Sequence, residues 1–174
     1  MARFLALCLA ILLAGCKPPV QEVQEVQEDP YREQFVKTNQ YMQRRHQDQI
    51  EAFLERVAWE AKQTSTGLWI VHDTIGAGPE IRDGDFVSFS FSAQLLDGTP
   101  AYESTPKNPK QIIIGKSDIE SGVTEGLMLM KNGGRAILLI PPHLAHGNFG
   151  DRDKIPGNSV LIYKIEVLDV RPGS

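Results

Sequence analysis

Between residues 87 and 95 the chain alternates without a break. Val87, Phe89, Phe91, Ala93 and Leu95 are apolar, and Ser88, Ser90, Ser92 and Gln94 between them are polar. Successive side chains on a strand point to opposite faces, so this period of two predicts a half-buried strand with one apolar and one polar face. Asp97-Gly98 follows with turn chemistry. Shorter β-prone runs at 68–71, 111–114, 136–140 and 160–170 offer it neighbours. Between them, residues 120–130 place Val123, Leu127 and Met130 at helical spacing and end at Asn132-Gly133-Gly134. One short helix against a many-stranded antiparallel sheet is an α+β layout.

Ahead of the strands the pattern is helical. Phe35, Met42, His46, Ile50, Phe53, Leu54, Val57 and Ala61 recur on one face of a helix predicted over residues 31–63, with Thr64-Ser65-Thr66-Gly67 ending it. Asp29 and Pro30 suit its start. The apolar stripe needs a partner, either the C-terminal domain or a second copy of itself.

The first residues read as an export signal. Arg3 precedes an apolar run from Phe4 to Ala14, then Gly15-Cys16. That run is shorter than the roughly 20 residues of a membrane span. The other cysteine, Cys8, leaves with the signal, so no disulfide is expected and the fold must stand on its core. Residues 16–30, with Pro18-Pro19 and repeated Val-Gln-Glu, lack a stripe wide enough to pack and read as a polar tether. The resulting division is 1–15 signal, 16–30 tether, 31–66 helical segment and 67–174 sheet domain.

Several function classes find no support. The formal net charge is −4, without the basic stripe of a nucleic-acid binder. No nucleophile-elbow motif is present, and Gly76-Ala77-Gly78 lacks the spacing of a phosphate loop. His143 and His146 lie three apart, but no cysteine or neighbouring carboxylate completes a metal site, so none is expected.

From about Gly67 to Val170 the chain resembles FKBP-type peptidyl-prolyl isomerases. The resemblance rests on Asp97-Gly98-Thr99 with Tyr102, Ile114-Gly115-Lys116, Gly122-Val123-Thr124-Glu125-Gly126-Leu127 with Met130, Gly134-Arg135-Ala136, the run from Ile140 to Gly147, and the run from Ile155 to Leu161. Leu13-Ala14-Gly15-Cys16 resembles the bacterial lipobox, which implies cleavage before Cys16 and lipid on its thiol. An ordinary signal with a chance cysteine is the other reading. The whole layout is also similar to gliding-motility-associated isomerase lipoproteins.

The resemblance implies a twisted antiparallel sheet of five or six strands wrapping the short helix. It implies a pocket walled by Phe91, Tyr102, Ile119, Val123, Ile155 and Tyr163. It further assigns the N–H of Glu120 and the side chain of His146 to substrate carbonyls, and sets Glu103 beside the aromatic Tyr102. Four positions depart from the family pattern: His146 stands for a tyrosine, Glu103 for an aspartate, Val123 for a tryptophan, and Glu120 for an apolar residue whose side chain is free to point outward. The reaction needs no cofactor. An X–Pro bond turns slowly because rotation breaks amide resonance, over a barrier of about 18–20 kcal/mol. A twisted amide is less dipolar than a planar one, so an apolar cleft favours it. The function implied is a folding catalyst for exported, proline-containing polypeptides, held at the outer-membrane or periplasmic side by Cys16. A binding module or chaperone with little turnover, or a structural partner in a membrane complex, are the other readings. A homodimer through residues 31–63 is a further expectation, and nucleic acid is not an expected partner.

Overall fold

In a computed structural model, residues 30–173 are described. The export signal, Cys16 and nearly all of the tether lie outside the described residues. Helix α1 spans Pro30–Val57, and residues from Lys37 onward belong to one compact unit. The strands are β1 (Lys62–Gln63), β2 (Trp69–Thr74), β3 (Phe86–Leu95), β4 (Pro100–Ser104), β5 (Lys110–Ile113), β6 (Arg135–Ile140) and β7 (Leu161–Arg171), with helix α2 (Ser121–Met128) between β5 and β6.

All strand pairs are antiparallel, and the strands lie in the order β1-β2-β6-β7-β3-β4. β5 shares an edge of β3 with β4: Phe86–Phe89 pair with β5 and Phe91–Gln94 with β4. The sheet thus has seven strands among the described residues, against the five or six expected. The added pieces are short: β1 has two residues and β4 five.

The alternation in β3 sorts as its period predicts. Val87, Phe89 and Ala93 enter one core with Leu138, Ile140, Leu161, Tyr163, Ile165 and Val167, and α2 closes it through Val123 and Leu127. Gly122 and Gly126 let α2 approach closely: a Cβ at either would overlap Ile140 or Leu138 of β6. The polar side of β3 is less open than its serines suggested, for Ser88 and Ser90 are both buried. β3 is flanked along both edges, and so small a side chain sinks between its neighbours.

A second, smaller core lies on the outer face of the sheet. Ile50 and Leu54 of α1 pack with Leu139, Val160 and Ile162, joined by Phe53, Trp69, Val71 and Ile137. This explains why β6 is apolar on both faces: Leu138 and Ile140 face α2, and Leu139 faces α1. Burying one such side chain stabilises by about 1.5–3 kcal/mol. The predicted stripe is therefore partnered over Ile50 and Leu54 by the chain's own sheet, and His46 is buried beside the Asn158 backbone, whereas Phe35 is 66% exposed.

The helix ends earlier than the stripe implied. Ala58 adopts a left-handed backbone (φ 53°), and the N–H of Trp59 reaches back to the carbonyl of Leu54 at 3.2 Å. This is a Schellman-type stop, usually marked by glycine. No glycine occurs there, so the sequence carries no stop signal before Gly67. Ala61 lies beyond the helix, residues 62–63 join the sheet, and Thr64–Gly67 forms the turn into β2. Tyr102 sits in β4 opposite Ala93.

Candidate active site

The C-terminal half of β3, β4, the approach to α2 and the loop after β6 enclose a cavity of about 710 Å³. Seven of the residues singled out from the sequence line it: Phe91, Tyr102, Glu103, Ile119, Glu120, His146 and Tyr163. The other two, Val123 and Ile155, are buried at 0% and 2% exposure in the core against which Phe91, Tyr102 and Ile119 pack. Val123 thus supports the site from within the core and forms no open floor.

Strand geometry brings the apolar wall together. Phe91 and Tyr163 come from neighbouring strands on the same face, and their rings stack with centroids 5.3 Å apart. Phe89 continues the row, 5.9 Å from Phe91. Such pairs contribute about 0.5–1.5 kcal/mol beyond simple burial. Each ring is thus held by the sheet and by its neighbour.

The polar groups converge at the start of α2. Oε1 of Glu120 accepts the Tyr163 hydroxyl at 2.7 Å and lies 2.9 Å from Nε2 of His146. The carboxylate thus turns into the cavity, which corrects the expectation that it points outward. Two donors fix it there, and it sits at the positive end of the α2 dipole. Burial foremost, and then the charge and hydrogen bond of Glu120, push the Tyr163 hydroxyl well above its ordinary range. Tyr163 therefore stays protonated and donates to Glu120. The backbone N–H of Glu120 has no acceptor among the described residues, while its carbonyl receives the N–H groups of Val123 and Thr124.

A second polar group, missed in the sequence, braces the wall at Tyr102. The Tyr102 hydroxyl donates to Oδ2 of Asp151 at 2.5 Å and lies 3.2 Å from Asp153. Oδ1 of Asp151 takes the N–H groups of Asp153 and Ile155 at 2.9 and 2.8 Å. The Lys154 ammonium lies over the Tyr102 ring, 4.9 Å from its centre, and donates to the carbonyl of Ala101. The hydrogen bond to Asp151 chiefly, with burial and the two carboxylate charges, raises the Tyr102 hydroxyl to about 12. Burial would raise Asp151, but the Tyr102 hydroxyl, the two N–H groups and His146 together hold it down to about 2. The one hint in the sequence was the Asp-x-Asp pair just ahead of Ile155.

His143 and His146 part company. Nε2 of His143 meets the carbonyl of Thr66 at 2.8 Å, while His146 faces the cavity. Their spacing in the chain therefore does not become one ligand set.

Residues 78–168 match the sequence profile of the FKBP-type peptidyl-prolyl cis-trans isomerases. This chain belongs to that family. All of the cavity's aromatic wall falls inside the matched segment. The chain is 36% identical over 110 residues to the FKBP-type peptidyl-prolyl cis-trans isomerase FkpA of Buchnera aphidicola, across 63% of this chain and 43% of that protein. It is 34% identical over 115 residues to a probable FKBP-type isomerase of Haemophilus influenzae, across 66% and 47%. It thus spans just under half the length of these two curated relatives. The crystal structure of FkpA from Escherichia coli is similar at a TM-score of 0.64 and 33% identity, over 83% of this chain and 70% of that one. That coverage exceeds the matched family segment. No described helix is long and apolar enough to cross a membrane.

Proposed function

We propose that this chain catalyses cis–trans isomerisation of X–Pro bonds in exported polypeptides, from a lipid anchor at Cys16. The observation that carries the catalytic part is the aromatic wall of Phe91, Tyr102 and Tyr163 set beside the N–H of Glu120. The proline ring enters the wall and exchanges water for aromatic surface, worth about 1–3 kcal/mol on the scale of one apolar side chain. A substrate carbonyl takes the N–H of Glu120, and His146 supplies a second polar contact. Leaving water favours the less dipolar twisted amide over the planar one, which lowers the rotational barrier. No bond is broken and no proton moves. Weak burial of one ring suits brief contact with many substrates.

The test is a protease-free isomerisation assay on short X-Pro-Phe peptides with residues 17–174. Rates above the uncatalysed background support the reading. Background rates across several peptides would instead favour a binding module or chaperone, which the carboxylate in the cavity makes a reading worth testing.

Anchoring follows from the lipobox resemblance. Several acyl chains at about 0.8 kcal/mol per buried methylene hold a protein firmly. Cys16→Ser is expected to release the protein from membranes or block its maturation, and wild-type retention of that variant would refute the anchor. Self-association is a separate proposal. Phe35, Val36 and Tyr41 remain exposed on α1 at 66%, 44% and 66%, and a second copy would cover them. Sedimentation of residues 17–174 as a dimer, and of Phe35→Glu/Tyr41→Glu as a monomer, is the expected pair of results.

A further inference from the structure

One wall of the cavity is aromatic, yet a carboxylate is held inside it. Glu120 has a side chain only 14% exposed. Its Oε1 is occupied by Tyr163 and His146, while Oε2 has no hydrogen-bond partner among the described residues. The other acidic and basic side chains on the lining, besides His146 and the neutral hydroxyls of Tyr102 and Tyr163, are Glu103, Asp118 and Lys110. Three carboxylates thus face one ammonium, and Glu120 is the one held inside. Its own N–H is the group that receives a substrate carbonyl, so its charge lies beside the bond that turns.

We propose that Glu120 sets substrate choice: the pocket prefers a prolyl bond flanked by lysine or arginine and rejects one flanked by aspartate or glutamate. This rests on the isomerase reading above. A cation next to the proline reaches the open oxygen of a carboxylate that Tyr163 and His146 keep in place. An anion meets repulsion in a site where the wall excludes much of the water that would screen it. Proline itself carries no charge, so the selection acts on its neighbours and leaves the ring's contact with Phe91 and Tyr163 alone.

The experiment measures kcat/KM for two peptide series at pH 8 and low ionic strength. One varies the residue before proline and the other the residue after it, each with Lys, Leu or Glu. At least one series is expected to run Lys above Leu above Glu, with about tenfold between the extremes. Salt at about 0.5 M should compress that ratio in the unmodified protein, because the interaction is electrostatic. Glu120→Gln keeps the shape and the acceptor but loses the charge, and should bring the ratio below about twofold. Glu103→Gln, on the exposed rim, should leave most of it. Turnover of the Leu peptides with no Lys/Glu difference in either series would overturn the proposal and leave the isomerase reading standing. Turnover of no peptide would overturn both. A ratio that survives in Glu120→Gln and vanishes in Glu103→Gln would move the selection to the rim and refute the role of Glu120.

Discussion

The hydroxyl of Tyr163, on β7, donates a 2.7 Å hydrogen bond to the carboxylate of Glu120, at the N-terminus of α2. The bond ties the floor of the sheet to the helix that closes the cavity. It also makes one side chain serve two ends, since the Tyr163 ring stacks on Phe91 while its oxygen holds the charge. Tyr163→Phe keeps the stack and removes the donor. It should lower stability by about 1 kcal/mol in urea titration. Tyr163→Ala removes the wall itself, and turnover of an X-Pro-Phe peptide should fall at least about tenfold. Wild-type turnover in a folded Tyr163→Ala protein would place the site elsewhere.

Tyr102 links β4 to the loop that carries Asp151, and its pKa near 12 and that of Asp151 near 2 report the same bond. The Asp151 carboxyl is held below its ordinary value of 3.8, so the folded state keeps it ionised more readily than the unfolded state. Its contribution is complete above about pH 4 and is lost as pH falls toward 2. Tyr102→Phe should raise the Asp151 pKa, read by carboxyl NMR titration, and make stability less dependent on pH in that window. Because Tyr102 belongs to a strand, Tyr102→Ala should cost stability as well as activity.

Two histidines set a milder acid limit. Burial first, then the charges of Arg45 and His143, hold His46 below its ordinary 6.5 against a hydrogen bond with the Asn158 backbone. Burial and then Lys62 do the same to His72. With folded pKa values lowered, the unfolded chain binds protons first. Stability is then complete above about pH 6.5 and declines as pH drops through the folded values. Thermal midpoints should fall between pH 7.5 and 5, and less steeply in His46→Gln.

The approach of α2 to β6 depends on the missing side chain at Gly126. Gly126→Ala puts a methyl into Leu138 and should destabilise by about 1–3 kcal/mol, more than the gain in helix propensity returns. A companion Leu138→Ala change makes room, and a double-mutant cycle should then show coupling between the two sites.

Local patterning carried much of this protein. The period of two in β3 placed Phe89 and Phe91 on the interior face, and the parity of Tyr163 with Leu161 and Ile165 put it there too. These follow from the pleat alone, because a strand sends alternate side chains to opposite faces. The spacing of Val123 and Leu127 likewise marked the buried side of α2. What failed locally had no local cause to read. Ala58 stops α1 in a conformation that no side chain there favours, held by the bond to Leu54 and the packing of Trp59 on the outer core. The charge of Glu120 says nothing of where its carboxylate points. That was decided by His146 and Tyr163, 26 and 43 residues further on, which meet it only once β7 and the loop after β6 close over the helix start. The sequence by itself determined which apolar residues of β3, α2 and β7 face the core, since periodicity needs no partner. Only the tertiary structure decided which polar atoms share the cavity, because a hydrogen bond between distant segments exists only after the sheet has brought them together.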